Sequence, residues 1–184
     1  MNVKCGYVIL YLWFTSICHA QQAVSDLSEQ ARDFAYTLAS GEEERMYSLS
    51  AEVLLICFYD PSCEDCHAMM KRLAAAPAVK RLTGEKRLVA LAVYPEEDVQ
   101  LWEENRSHVP SGWINGYDPG ARIILDDLYD FTGLPAVYLL DGQKRFLLKE
   151  ATVEAVERVL KARFNIQDSK FEIQDSGLQD GCEG

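Results

Sequence analysis

The stretch Val53–Met70, VLLICFYDPSCEDCHAMM, decides how the rest of the chain is read. Val53 to Tyr59 is a continuous apolar run. It is far shorter than a membrane span and rich in β-formers, so it predicts a central strand covered on both faces. Asp60-Pro61-Ser62 ends that strand, because proline cannot donate to a ladder and Asp and Ser favour turns and helix starts. A helical pattern then runs from about Cys63 to Ala76, where Pro77 interrupts it.

Cys63 and Cys66 stand at that helix start with the spacing CxxC. Residues at i and i+3 share a helix face and can close a disulfide. Cys63 falls where free backbone N–H groups and the positive end of the helix dipole favour an anion, here the thiolate that attacks disulfides. Cys63 is therefore expected to be the nucleophile and Cys66 the less exposed, resolving cysteine.

The residues Phe58 to Cys66, FYDPSCEDC, resemble the F-W-A-x-W-C-x-x-C of the thioredoxin-like superfamily. They are most similar to the extracytoplasmic thiol–disulfide oxidoreductases of bacteria, with their FYDPxCxxC variants. The resemblance spans roughly residues 46–164. It implies an α/β fold with a central mixed sheet and helices on both faces, redox exchange through Cys63 and Cys66, and no organic cofactor. It also implies protein disulfide or dithiol substrates and a membrane or periplasmic redox partner.

Further along, Thr132-Gly133-Leu134-Pro135 precedes the apolar run Ala136 to Leu140. By the same resemblance Pro135 is a cis proline lying beside the CxxC. Such a bond turns the chain sharply and leaves the Leu134 backbone free to pair with an extended substrate. The other reading is a trans proline at the first position of a strand.

Three residues next to the thiols are candidates for tuning them. Glu64 and Asp65 suit the helix dipole, but their charge opposes thiolate formation. The couple is accordingly expected to be reducing or mildly poised, not strongly oxidising. The third is His67, on the same helical turn. Members of the superfamily often carry a buried carboxylate six residues before the first cysteine. Here that position is Cys57, read as a small core residue, which leaves open whether Glu64, Asp65, His67 or water moves the proton. Tyr59 and Ser62 replace the superfamily's usual tryptophans.

The rest of the chain frames this unit. Met1 to Ala20 has Lys4, a dozen mostly apolar residues and a small-x-small-like end, which predicts a secretory signal peptide at residues 1–20 and a periplasmic location. The alternatives are a lipid anchor at Cys18, disfavoured by the bulk of Ile17, and an uncleaved membrane anchor facing the periplasm. Loss of Lys4 takes the formal charge from −11 to −12, which argues against nucleic acid or anionic lipid as a partner. Four cysteines would remain, Cys57, Cys63, Cys66 and Cys182, too few for a disulfide scaffold.

Ala23 to Ala39 has helical spacing and predicts an N-terminal helix within a lead-in segment, residues 21–45. Gly41 to Arg45 reads as a solvated turn and Met46 to Leu49 as a short edge strand, opening a domain at residues 46–164. Arg87 to Tyr94 reads as a second buried strand, followed by a helix from Pro95 that includes Val99 and Trp102. Val109 to Gly120 carries Trp113 and Tyr117 on a Pro- and Gly-rich stretch, with a short strand between them. These two aromatics either fill the core or receive a peptide substrate. A short helix is expected over Ile123 to Phe131. A hairpin at Asp141-Gly142 leads into Arg145 to Lys149, and a closing helix capped by Thr152 runs to Phe164. Residues 165–184 are polar and acidic and predict a disordered tail.

Three other chemistries fit parts of the pattern. Cys63 to His67 is also CxxCH, the attachment signature of c-type haem, but its βα setting is unlike small helical cytochromes. A peroxiredoxin needs Thr or Ser where Asp60 stands. A zinc site lacks a second ligand pair. A non-catalytic binding module with a structural disulfide is the main rival.

Overall fold

The computed structural model describes residues 29–167. The N-terminal twenty-eight residues with Cys18, and the tail beyond Gln167 with Cys182, lie outside them. Seven strands form one sheet: β1 (Ala35–Leu38), β2 (Glu43–Arg45), β3 (Val53–Phe58), β4 (Leu88–Tyr94), β5 (Ile114–Tyr117), β6 (Ala136–Asp141) and β7 (Phe146–Leu148). Their order is β2-β1-β5-β4-β3-β6-β7. The middle trio β5, β4 and β3 runs parallel, and every other neighbour pair is antiparallel. Five α-helices connect them: α1 (Glu64–Ala75), α2 (Pro77–Gly84), α3 (Val99–Asn105), α4 (Arg122–Leu125) and α5 (Val153–Phe164).

The apolar run of β3 is sealed on both sides. Val53, Leu55 and Cys57 face a layer built from Met70 and Leu73 of α1, Val79 and Leu82 of α2, Trp102 of α3 and Val156 and Leu160 of α5. Leu54, Ile56 and Phe58 face the opposite layer, with Ile123 of α4 and an aromatic group of Phe34, Tyr129, Tyr138 and Phe146. Edge-to-face contacts knit that group, with ring centroids 5.6 Å apart in Phe34–Tyr129 and 4.9 Å in Phe58–Phe131. The result is a mixed sheet with helices on both faces.

The expected N-terminal helix does not extend into the described residues. Residues 29–38 cross one face of the sheet in extended form. Gln30 bridges Arg145 beside β7, and Thr37 and Leu38 pair with Tyr117 and Gly116 on the far side of β4. The apolar residues Phe34, Tyr36 and Leu38 satisfy a period of two as well as a helical one, and Tyr36-Thr37 favours a strand. Long-range partners then decide the matter. Tyr47 Oη donates to the Ala31 carbonyl at 2.6 Å, Tyr129 Oη to the Arg32 carbonyl at 2.9 Å, and Met46 N to the Phe34 carbonyl at 3.0 Å. The main chain is satisfied without a helix. The folded unit thus begins before residue 46.

Other boundaries shift for local reasons. The edge strand is β2, while Met46–Ser48 forms a 3₁₀ turn whose Tyr47 N–H donates to Asp33 Oδ1 at 2.9 Å. The helix expected from Ile123 stops at Leu125, because Asp127 is left-handed (φ 51°) and the amides of Asp127 and Leu128 turn back to Ile124 and Ile123. Pro77 opens a second helix, α2.

The β1–β5 seam depends on Gly116. A Cβ there would stand 2.6 Å from Tyr36 Cδ2 and 3.1 Å from the Thr37 carbonyl oxygen. Gly116→Ala should therefore lower stability by about 1–3 kcal/mol, the usual cost of overpacking, read as a drop in the urea unfolding midpoint. An unchanged midpoint would show that Tyr36 swings aside freely.

Candidate active site

The parallel strands end together, and the site forms at those ends. Phe58 pairs with Val93 of β4 and with Ala136 of β6. Leu134-Pro135, immediately before Ala136, therefore meets the end of β3, where the turn toward Cys63 begins. The Leu134–Pro135 peptide bond is cis. Leu134 is half-buried and packs against both core layers.

The turn is held by its own side chains. Asp60 Oδ1 accepts from Ser62 N and from Ser62 Oγ, both at 2.7 Å. The Asp60 carbonyl accepts from Cys63 N at 3.1 Å. Cys63 is the N-cap of α1: its backbone is extended, and its sulfur accepts the Cys66 N–H at 3.2 Å. A thiol here takes the place usually held by a hydroxyl or carboxylate oxygen. Both cysteines are free thiols, Cys63 half-buried and Cys66 fully buried. Burial, followed by the hydrogen bond to Cys63, pushes the Cys66 thiol well above the ordinary thiol range.

The residues around the two thiols differ in exposure. Glu64 and Asp65 point to solvent in the first turn of α1, and neither joins an ion pair among the described residues. His67 is half-buried. Its ring lies against His108, with centroids 4.2 Å apart, and its Nε2 is shielded with no hydrogen-bond partner. It also bonds to the Pro61 backbone. Haem does not fit this arrangement: Nε2 of His67, the atom that would ligate iron, is shielded and Cys66 is sealed in the core. Cys57 is fully buried, and burial holds its thiol protonated.

Trp113 and Tyr117 stand at opposite ends of β5. Tyr117 pairs with Tyr94 at the end of the sheet that carries Cys63, and its ring lies 4.8 Å from Trp102. Trp113 precedes the other end of the strand and packs, half-buried, on the helical layer. Beside them is a network that residue spacing does not reveal. Asn115 Oδ1 accepts from Tyr59 Oη at 2.9 Å and from Trp102 Nε1 at 3.1 Å. The one hint is an amide within the short strand INGY, where a half-buried polar side chain needs partners. Asp60 and His108 carry no signal of their place in the site either. The first reads only as a turn residue, and the partner of the second is remote in sequence.

His67 gives a pH signature. Burial first, and His108 next, hold it below the ordinary imidazole range. The unfolded chain then binds more protons, so stability is lost as pH falls through the unfolded value of about 6.5. Replacing His67 by Gln should flatten the loss of stability between about pH 7 and pH 5, measured by urea unfolding at both. An equal slope in the two proteins would rule out His67 as its source.

No family model matches the chain, and no curated protein matches it. Solved structures do. A thioredoxin-like protein from Bacteroides caccae is 38% identical with a TM-score of 0.72, over 74% of this chain and 49% of that one. The chain thus spans less than half the length of that protein. The C-terminal domain of an uncharacterized protein from Bacteroides fragilis is 38% identical with a TM-score of 0.70, over 73% of this chain and 96% of that one. The thioredoxin domain of a thiol-disulfide oxidoreductase from Bacteroides vulgatus shares the fold at 14% identity, with a TM-score of 0.64, over 74% and 96% of the two chains. With its CxxC at the head of a helix that follows the central strand, the chain belongs to the thioredoxin-like superfamily.

Proposed function

We propose that this protein is an exported thiol–disulfide oxidoreductase that reduces protein disulfides in the periplasm. The observation that carries the reading is the placement of the two thiols: one half-exposed at a helix mouth, the other buried one turn on, joined through the Cys66 N–H. Cys63 attacks a substrate disulfide, and one substrate sulfur leaves as a thiol after taking a proton. Cys66 then attacks the Cys63 sulfur of the mixed disulfide. The second substrate thiol departs, the Cys63–Cys66 disulfide forms, and the substrate has gained two electrons. A membrane or periplasmic dithiol protein returns the couple to the reduced state. Leu134 and Pro135, at the end of β3, offer backbone to an extended substrate, with Tyr117 nearby and Trp113 a more distant contact.

The reducing direction rests on charge. Glu64 and Asp65 put unpaired negative charge beside the dithiol, which disfavours a strongly oxidising couple. Export rests on the pattern of residues 1–20.

The test is reduction of insulin disulfides by the reduced protein. Cys63→Ser should abolish turnover, and Cys66→Ser should halt at a mixed disulfide that survives non-reducing electrophoresis. No turnover by the wild-type protein would leave the binding-module reading, and turnover undiminished in Cys63→Ser would overturn the role of Cys63. Changing Glu64 to Gln and Asp65 to Asn together should make the couple more oxidising by about 30 mV, a tenfold change in its equilibrium constant, measured against a glutathione buffer. A shift in the opposite sense would contradict the reducing assignment.

A further inference from the structure

The residues that lead into the cis peptide belong to no helix or strand. Thr132 and Gly133 are exposed, and a Cβ built on Gly133 would meet nothing within 4 Å. The amides of Gly133 and Leu134 and the Leu134 carbonyl take no hydrogen bond among the described residues. Such a segment keeps one shape only if its ends are held. Upstream, the Asp130 carbonyl accepts from Tyr138 Oη, and the Phe131 ring lies 4.9 Å from that of Phe58. Those anchors stop just short of Thr132.

Glu150 supplies the remaining one. Its Oε1 accepts from Thr132 N at 3.0 Å and from Thr132 Oγ1 at 2.9 Å. Bonds to a carboxylate are stronger than those between neutral groups. The next residue, Ala151, donates its amide to the Val137 carbonyl at 2.8 Å, which pins Glu150 beside the start of β6. Thr132 and Val137 stand on either side of Pro135, so the two attachments together bracket the cis peptide. Glu150 itself has a φ of 46°, in the left-handed region that a side chain occupies at a cost. The chain accepts that conformation where it brings the carboxylate to Thr132.

We propose that Glu150 is a positioning residue for the substrate: it clasps Thr132 so that the open Leu134 backbone stands ready to pair with the chain that flanks a disulfide. This rests on the oxidoreductase reading above. No hydrogen bond links Glu150 to either thiol, and the exchange chemistry does not pass through it. Its effect is to order the loop before the substrate arrives, which lowers the cost of ordering it on binding. A disulfide with no peptide around it has nothing to pair with Leu134 and gains nothing from the clasp.

The experiment compares a disulfide-bonded peptide having uncharged flanks with hydroxyethyl disulfide, which has no backbone. The second-order rate constant for oxidation of the reduced protein by each is measured, and the ratio of the two is the readout. In wild type it should favour the peptide. Glu150→Ala should lower the ratio about tenfold, the order expected for two lost hydrogen bonds, and leave the hydroxyethyl disulfide constant within about twofold. Glu150→Gln retains an oxygen able to accept both bonds and should hold the ratio within about threefold of wild type. Thr132→Val keeps the amide but not the hydroxyl and should fall between. A ratio in Glu150→Ala equal to that of wild type, or a fall as large in Glu150→Gln, would overturn the clasp. So would a wild-type ratio that does not favour the peptide, or a parallel loss on both disulfides, which marks damage to the dithiol or the whole fold. If neither disulfide oxidises the wild-type protein, the oxidoreductase reading falls and this proposal with it.

Discussion

A single contact, the Cys66 amide donating to the Cys63 sulfur, holds the candidate site together. As a helix cap it is worth about 1 kcal/mol, little beside the burial that surrounds it. Its importance is geometric. The contact can form only if Cys63 is non-helical and Cys66 lies in the first turn, which requires that the chain leave β3 at Phe58 and turn within Asp60 to Ser62. Burial of β3 on both faces sets where the strand ends, and the Asp60–Ser62 hydrogen bonds set the turn. Large, undirected burial thus positions a small, directed interaction.

Much of this is legible in local sequence. The apolar run of β3, the Asp-Pro break and the CxxC spacing lie within one short stretch, and each has a physical meaning at its own scale. The same holds for the Asp141-Gly142 hairpin, whose Asp141 Oδ1 accepts from the amides of Gln143 and Arg145, both at 2.9 Å, and for Thr152, whose hydroxyl accepts from Ala155 N at 3.2 Å. What local sequence hides is whatever depends on a remote partner. Phe34, Tyr36 and Leu38 fit two periodicities, and only Tyr47, Met46 and Tyr129 select the extended form. In the site, Asn115 has meaning only once Tyr59 and Trp102 converge on it. Asp60 reads as turn chemistry, and only the fold shows that its bonds to Ser62 set Cys63 as the cap of α1.

Charge is divided unevenly over the molecule. Glu52, Glu85, Asp126, Asp141, Glu154 and Glu157 all have arginine or lysine partners. Asp60, Glu64 and Asp65 have none among the described residues, and neither have Glu96, Glu97 and Asp98 beyond the end of β4. Asp60, Glu96 and Asp98 act together on the Tyr94 hydroxyl, so these groups are neighbours and not scattered surface acids. Ionic strength screens such a field, which reaches about 10 Å at 0.1 M salt.

The strap formed by residues 29–38 has one more effect, at the margins of the sheet. On one side the last strand is Glu43–Arg45, three residues and all of them charged. On the other, the Ala31 amide donates to Lys144 and the Phe146 amide to Glu29, so the start of β7 already has a neighbour. Neither border presents a long row of idle amides and carbonyls. A short charged border on one side and a partly covered one on the other both disfavour the addition of an eighth strand from a second chain.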